Sequence, residues 1–213
     1  MIRSILVILT AFLYLILSIP VLLVLLLIRK KKPEVCDKVS RSLIRWIFRV
    51  ILFFSGTKIT VKGQENIPKD RAVLYIGNHR SYFDFFAAMD IMLAHGAIWR
   101  HKLCFPVRAP FFYDNPVGVA INFLVAGGAM YPPIFRDERR SALNRIAVER
   151  VVNLLEKQSS VAVGFHPEGG RNKGTDPYAL LPSKPGAGEV ALRSDVVVLP
   201  MFMNGLDNRI GNI

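Results

Sequence analysis

Two short clusters of polar residues in this sequence carry side chains that could do chemistry. The first is segment 78–84 (NHRSYFD), in which His79 and Asp84 are five residues apart. In one continuous helix these side chains would lie about 140° apart, so they can meet only if His79 precedes the helix. Ser81-x-x-Asp84 is a capping box and predicts that a helix begins here. Asp84 can then hold one imidazole nitrogen while the other acts as a general base. The alternative is that the two residues only cap the turn and the helix.

The second cluster is segment 165–172 (FHPEGGRN). Its two adjacent glycines allow a ligand to approach the backbone closely. Arg171 offers a planar fork suited to a phosphate, and Glu168 could orient that arginine or bind an acceptor hydroxyl. Lys184 precedes a short predicted helix whose start could also face an anion. The alternative is a Gly-Gly turn with a solvated ion pair.

Both clusters directly follow apolar runs typical of buried strands, at 72–76 (AVLYI) and 160–165 (SVAVGF). The other predicted elements are strands or extended segments at 58–62, 129–135 and 196–203, and helices at 138–158 and 186–193. Strands that alternate with helices predict an α/β fold with a largely parallel sheet flanked by helices. In such sheets ligands bind beyond the carboxyl ends of the strands, so both clusters are expected at a ligand-binding edge.

The charge of the chain is concentrated near its amino-terminal end. The formal net charge is +12, from 28 Lys and Arg against 16 Asp and Glu. Residues 1–62 hold 11 of those basic residues and 2 of the acidic ones. This asymmetry argues against nucleic acid as a partner and favours a membrane surface. With only two cysteines, Cys36 and Cys104, a disulfide scaffold and a four-thiolate zinc site are excluded.

An apolar run without charges covers residues 5–28. At a rise of 1.5 Å per residue it spans about 36 Å, enough to cross the core of a bilayer. The basic residues 29–32 (RKKK) follow directly and predict a membrane anchor whose following domain lies on the cytoplasmic face. Pro20 allows the alternative that the run bends into a hairpin within one leaflet.

A second membrane-binding element is predicted at residues 41–54. Arg41, Arg45 and Arg49 recur every four residues and form one stripe of an amphipathic helix, whose apolar side suits the lipid interface. The alternative is that this helix packs on the soluble domain. The sequence thus predicts membrane-anchoring helices in residues 1–55 and one α/β domain in residues 56–213.

Segments 78–84 and 165–172 together resemble the glycerolipid (lysophospholipid) acyltransferase family, to which the 1-acyl-glycerol-3-phosphate acyltransferases belong. The first segment matches the N-H-x-S-x-x-D motif of that family. The second matches its F-P-E-G-T-R-S block except at His166, where an aromatic residue is usual, and at Gly170 and Asn172. The membrane-binding amino-terminal segment also fits this family.

Further segments extend the resemblance over roughly residues 56–205. Segment 183–191 (SKPGAGEVA) is similar to the family's F-K-x-G region, and 196–205 (VVVLPMFMNG) to its late strand with a proline. A family block that ends in a phosphate-binding arginine corresponds best to segment 128–140, with Arg136 at that position and Arg139 behind it. The domain at 56–213 is accordingly expected to be an acyltransferase domain.

The resemblance implies transfer of a fatty acyl group from acyl-CoA or acyl carrier protein to the free hydroxyl of a lysophospholipid. The commonest acceptor in the family is 1-acyl-glycerol-3-phosphate, which gives phosphatidic acid; the alternative is another lysolipid acceptor. His79 would be the general base, oriented by Asp84, with no acyl-enzyme, cofactor or metal. Membrane lipids would be further partners. The implied substrate-binding residues are Asn78, Ser81, Arg136, Glu168, Gly169, Arg171 and Lys184.

Two other classes of function stay open. The basic segment could make this a catalytically inactive lipid-binding protein, although both members of the His–Asp pair are present. The four residues His79, Asp84, His166 and Glu168 could instead ligate zinc in a hydrolase, although their spacing matches no standard zinc motif. The aromatic and apolar segment 107–125 could line an acyl or acceptor channel or belong to an ordinary core.

Overall fold

A parallel four-stranded sheet forms the centre of the protein. The computed structural model describes residues 2–81, 83–94, 102–124, 128–176 and 178–206. The strands of the central sheet are β1 (Val73–Gly77), β2 (Lys102–Cys104), β5 (Val161–Phe165) and β6 (Val197–Met201). Their order is β2-β5-β1-β6, and every pairing is parallel. A separate two-stranded sheet pairs β3 (Val107–Arg108) with β4 (Pro133–Ile134). The predicted α/β fold is confirmed.

Helices cover both faces of the sheet. They are α1 (Ile2–Ile28), α2 (Pro33–Ser55), α3 (Phe83–Ala94), α4 (Ala109–Phe112), α5 (Pro116–Leu124), α6 (Leu143–Lys157) and α7 (Gly186–Arg193). Val73 and Tyr75 of β1 belong to the hydrophobic core with α2 and α3, whereas Leu74 belongs to the core with α6 and α7. Successive strand residues point to opposite faces, so a strand covered on both sides must be apolar throughout.

The register of β1 and β5 brings the two polar clusters together. These strands are neighbours, with Ile76 paired to Phe165 near their carboxyl ends. The turn after β1 contains His79, and the turn after β5 begins at His166. Because both strands run in the same direction, the two turns meet at one edge of the sheet.

Three predicted elements differ from the structure. Residues 58–62 belong to neither sheet, although their alternating pattern predicts a strand. Of the extended segment 129–135 only Pro133–Ile134 forms a strand, since proline has no N–H to donate to a ladder. The helix predicted at 138–158 begins at Leu143, after a single 3-10 turn at Glu138–Arg140.

The helices α1 and α2 form a hairpin joined by the basic residues 29–32. The two helices contact each other along their length, and the side chain of Arg3 lies beside Gly56. The helix α1 continues through Pro20, so the reversal occurs at the basic turn and not at the proline. With 27 residues and a mean hydropathy of 3.0 over an 18-residue stretch, α1 is long and apolar enough to cross a membrane.

The helix α2 has two different faces. Ile47, Phe48 and Ile51 are buried in the core that contains α3, as the alternative interpretation of this helix expects. Arg49 and Arg45 lie near Asp90 of α3, with Arg49 Nε 3.0 Å from Oδ1. On the other side Trp46 and Phe53 remain exposed. The helix therefore packs on the domain and also presents large apolar side chains outward.

Candidate active site

Asp84 holds the turn that carries His79. It lies in the first turn of α3, and its side chain is 1% exposed. Its Oδ2 accepts hydrogen bonds from the backbone N–H groups of Arg80 (2.6 Å) and Ser81 (2.9 Å), and lies 2.9 Å from Nδ1 of His79. The carboxylate therefore caps the helix and orients the imidazole at the same time. The two interpretations of this pair are compatible.

The bond to Asp84 determines which nitrogen of His79 can accept a proton. An ionised carboxylate only accepts hydrogen bonds, so Nδ1 of His79 carries the hydrogen. Nε2 is then left with a free lone pair. The side chain of His79 is 24% exposed, so a substrate can reach the ring. A histidine with a buried carboxylate behind it and an accessible nitrogen in front has the geometry of a general base.

The turn after β5 holds the backbone of His79 from both sides. Oε1 of Glu168 accepts the N–H of His79 at 2.8 Å, and the N–H of Asn172 donates to the carbonyl of His79 at 2.7 Å. Oε2 of Glu168 accepts the N–H of Leu181 at 3.0 Å. Glu168 is buried, so its charge is balanced mainly by these backbone donors. It braces two turns, a role that the sequence did not indicate.

His166 stacks directly on His79. The two ring centroids are 4.5 Å apart and the planes differ by 17°. Nδ1 of His166 lies 2.9 Å from the carbonyl oxygen of Asn78 and 3.1 Å from that of Gly77, so this nitrogen donates. Burial and the neighbouring His79 lower the pKa of His166 below its usual value. A neutral imidazole thus occupies the position where the family usually has an aromatic ring.

Besides Glu168, two more of the predicted substrate-binding residues lie inside the fold. The side chain of Asn78 donates to the carbonyl of Met203 (2.8 Å) and accepts the N–H of Met203 (2.7 Å). It ties the end of β1 to the segment after β6. Ser81 is fully buried in the turn. The described contacts of Asn78 are therefore structural, and they keep the turn in place.

Basic side chains surround the glycine turn of the second cluster. The guanidinium of Arg136 donates to the carbonyl of Gly169. Burial, followed by repulsion from Arg108, lowers the pKa of Arg136, so these two cations act on each other. Gly169 has φ +64°, and a Cβ there would lie 3.2 Å from Cγ of Lys184. Arg136 and Lys184 thus lie at one backbone turn, with Arg108 close enough to act on Arg136, and such an arrangement suits an anion.

Arg108 is a cation that the sequence analysis missed. It ends β3, which pairs with β4 so that Arg108 lies opposite Ile134, two residues before Arg136. Only the pairing of these two short strands brings the arginines together. Of the other predicted residues, Arg171 follows the glycine pair and is partly exposed, and Arg139 is exposed on the short turn at Glu138–Arg140.

A cavity of about 710 Å³ lies next to this site without containing it. Its lining includes Ile59, Ile91 and Met203, but none of the predicted site residues. Met203 is the residue whose backbone Asn78 holds, so the cavity lies behind the turn of His79. The chemistry is better located by the His–Asp geometry than by the cavity.

The alternative of a zinc site does not fit this geometry. Within the described ranges, no group of three or more His, Cys, Asp or Glu side chains is placed to hold a metal ion. The rings of His79 and His166 are parallel and face each other, so their in-plane lone pairs do not converge on one point. Both oxygens of Glu168, and Oδ2 of Asp84, are engaged by backbone N–H groups.

The fold and the site define a class: an α/β protein with a His–Asp pair beside a turn that carries basic side chains. Residues 58–204 match the family model described as Acyltransferase. The match covers more than half of the chain, and the protein belongs to the Acyltransferase family. The resemblance drawn from the four motifs is confirmed.

Curated relatives of this chain are named 1-acyl-sn-glycerol-3-phosphate acyltransferases. The chain is 29% identical to the one from Borreliella burgdorferi, over 80% of this chain and 61% of that protein. It is 26% identical to the one from Haemophilus influenzae, over 86% and 67% respectively. The human alpha protein is 25% identical over 78% and 52%. The chain thus spans about half to two thirds of the length of these relatives.

A solved structure supports the fold. The 1-acyl-sn-glycerophosphate (LPA) acyltransferase PlsC from Thermotoga maritima superposes with a TM-score of 0.65 at 21% identity. The superposition covers 93% of this chain and 71% of that chain. It therefore extends over the helical hairpin as well as the sheet.

Proposed function

We propose that this protein transfers a fatty acyl group from a thioester to the free hydroxyl of a lysophospholipid, with 1-acyl-glycerol-3-phosphate as the acceptor and phosphatidic acid as the product. The observation that carries this proposal is the His79–Asp84 pair, whose Nδ1 to Oδ2 distance is 2.9 Å, in a chain of the Acyltransferase family. The names of the curated relatives support the choice of acceptor.

The reaction follows from the orientation of His79. Nε2 takes the proton of the acceptor hydroxyl as its oxygen attacks the thioester carbonyl. The negative charge of buried Asp84 stabilises the imidazolium that forms. The tetrahedral intermediate then expels the thiolate, which takes the proton from His79, so a C–O ester replaces the C–S bond. No acyl-enzyme is needed, and the cysteines Cys36 and Cys104 are both buried.

The rigid backbone of the turn keeps His79 in this orientation. Glu168 and Asn172 hold its N–H and carbonyl, and His166 covers one face of its ring. A general base held in place loses little freedom when the acceptor binds, which is the main benefit of positioning. The buried carboxylates of Asp84 and Glu168 thus serve to orient His79.

The acceptor phosphate is proposed to bind at the turn of Gly169. Arg136 and Arg108 supply two guanidinium groups near this turn, and Lys184 lies against it. Planar guanidinium groups bind two phosphate oxygens each. Burial is the main cause that lowers the pKa of Arg136, and an anion between Arg108 and Arg136 would relieve the repulsion that adds to it. Arg171, two residues further along, completes the predicted phosphate-binding set.

The acyl donor is proposed to be acyl-CoA or acyl carrier protein, and the membrane supplies the acceptor. The helix α1 exposes a row of large apolar side chains that associates the protein with a bilayer. The basic turn at residues 29–32 supports an orientation in which the catalytic domain lies on the cytoplasmic face. Substrates whose acyl chains stay in the bilayer can then reach the site without leaving it.

The proposal is tested by acyl transfer with the purified full chain in vesicles. Labelled acyl-CoA and labelled acyl-carrier protein are each offered with 1-acyl-glycerol-3-phosphate, glycerol 3-phosphate, and lysolipids with other headgroups. Formation of labelled phosphatidic acid with one of the two donors supports the proposal. Folded protein that binds the vesicles but transfers no acyl group to any acceptor would show an inactive lipid-binding protein instead.

A further inference from the structure

The short helices α4 and α5 expose an apolar surface that the site described above does not use. The outward side chains include Phe111 (55% exposed), Val117 (65%) and Phe123 (60%). Pro116 and Ala120 complete the stripe on α5, at the spacing of one helix face. The helix α5 contains no charged residue. Val107 and Phe112 of segment 107–125 pack against the core, as one of the two alternatives for this segment expects, whereas these outward side chains do not. Val125 lies outside the described residues.

The opposite side of these helices is firmly attached to the domain. Asn122 donates to the carbonyl of Met130 at 3.2 Å and accepts its N–H at 3.1 Å, and the hydroxyl of Tyr113 donates to the same carbonyl. A Cβ at Gly118 would collide with the carbonyl oxygen of Phe111, so glycine allows α5 to lie directly against α4. Tyr113 and Asn122 thus hydrogen-bond to the domain, and these bonds fix the outward orientation of the phenylalanines.

The apolar surface of α5 is continuous with the membrane helix. The helix α5 contacts α1, whose own exposed side chains are almost all Leu, Ile, Val and Phe. Large contiguous apolar surfaces are rare on proteins surrounded by water and mark contact sites. Because the adjoining surface belongs to the helix that is long and apolar enough to enter a bilayer, the same bilayer is the occupant that fits both.

The charged residues of this region lie at the ends of the two helices. Arg108 precedes α4 and is exposed. Asp114, the only charged residue between the two helices, pairs with Arg140 at 2.7 Å. An apolar face flanked by cationic side chains is the arrangement of elements that lie at the lipid interface, with the cations at headgroup level.

We propose that α4 and α5 form a second membrane-contacting element that inserts Phe111, Val117 and Phe123 into the lipid interface beside α1. One consequence rests on the proposed function: Arg108 would then meet the phosphate of an acceptor at the membrane surface. The membrane contact itself does not depend on that function, so the two can be tested separately.

The test measures contact with lipid at single tryptophans in the full chain. Trp46 and Trp99 are replaced by phenylalanine, and one tryptophan is introduced by Phe123→Trp or, as the control, by Leu192→Trp. Leu192 is 90% exposed on α7, which packs on the other face of the sheet from α2 and α3. Each protein is bound to vesicles of phosphatidylcholine and phosphatidylglycerol, with or without bromine on the acyl chains.

We expect brominated lipid to quench most of the emission of the Phe123→Trp protein and little of the control. Vesicle binding through α1 is verified for each protein by flotation. Equal emission from Phe123→Trp in brominated and ordinary vesicles would overturn the proposal, and a blue-shifted but unquenched emission would point to a second copy of the chain as the occupant. Equal quenching at both positions would also contradict it, because the contact would not be specific to α5.

A second variant tests the energetic contribution of the surface. The substitution Phe123→Glu places a charge where lipid is proposed, and Leu192→Glu, which adds the same charge elsewhere, is the matched control. Both positions are exposed, so a thermal melt in detergent should show both proteins folded. The Phe123→Glu protein should need a higher lipid concentration for half-maximal vesicle binding than wild type or control. Identical binding curves for all three proteins would count against the proposal.

Discussion

Replacing Asp84 by asparagine removes one charge from the candidate site while preserving its shape. Oδ2 of Asp84 contacts three donors, which are the N–H groups of Arg80 and Ser81 and Nδ1 of His79. The amide oxygen of asparagine can still accept the two backbone N–H groups, and asparagine is among the best helix-capping residues. We therefore expect the free energy of unfolding to change by less than about 1 kcal/mol.

The catalytic effect of the same change should be much larger. A hydrogen bond to a charged partner contributes about 1.5–3 kcal/mol, and each 1.36 kcal/mol in the barrier is a factor of about ten. Without the carboxylate the imidazolium of His79 is stabilised less, and this alone should slow the reaction by about 10–10²-fold. All three donors converge on Oδ2, so the amide oxygen must take that place and Nδ1 of His79 keeps its hydrogen. We therefore expect a loss of about 10–10² in kcat.

The assay compares initial rates of labelled acyl transfer in vesicles for wild type, Asp84→Asn and Asp90→Asn, with thermal unfolding alongside. Asp90 lies on the same helix and pairs with Arg49 at 3.0 Å, so its substitution controls for removal of a carboxylate from α3. The Asp90→Asn protein should retain its rate. A folded Asp84→Asn protein that works within a few-fold of wild type would refute the role assigned to this carboxylate.

Three further predictions follow from the structure. Arg136→Ala should raise the KM for the acceptor more than the KM for the acyl donor, and Arg108→Ala should do the same. In the double variant the two effects on the acceptor KM should not add. Equal changes in both KM values would contradict this. Burial lowers the pKa of His166, so near pH 6.5 the unfolded chain binds a proton at this residue and the folded protein does not. Acidification from pH 7.5 to 5.5 should therefore lower Tm more in wild type than in His166→Phe. Equal losses of Tm in the two proteins would contradict this. Finally, a chain lacking residues 1–32 should unfold cooperatively, whereas one lacking residues 1–55 should not. The reason is that α2 buries Ile47, Phe48 and Ile51, and each buried side chain stabilises the fold by about 1.5–3 kcal/mol. Circular dichroism melts in detergent test this, and a cooperative transition in the shorter chain would contradict it.

The elements with strong patterns were predictable from the sequence. The helix at Gly186–Arg193 and the strand at Val161–Phe165 lie within a residue of their predicted ends, because a helical or buried-strand pattern was bounded by clear breaks. The pairing of His79 with Asp84 was also predictable, since a capping box fixes where the helix begins. Local chemistry determined these features, and tertiary contacts did not alter them.

Features that depend on distant contacts were not predictable. The N–H of Leu181 and that of His79 meet on Glu168 only because two turns adjoin in the fold, and nothing near Glu168 in sequence signals this. The approach of Arg108 to Arg136 likewise depends on β3 and β4, two strands of two residues each that place Arg108 opposite Ile134. At residues 58–62 the sequence predicted a strand that the structure does not contain. An alternating pattern forms a strand only where the edge of a sheet is available to pair with it.

The central claim is that Nε2 of His79 takes the proton of an acceptor hydroxyl, and His79→Gln tests it most directly. Glutamine can still hydrogen-bond to Asp84 but cannot act as a base, so folding and vesicle binding should be preserved. We expect the rate of labelled acyl transfer to 1-acyl-glycerol-3-phosphate to fall by about 10²–10⁴-fold. A folded, vesicle-bound His79→Gln protein that forms phosphatidic acid at the wild-type rate would contradict the account.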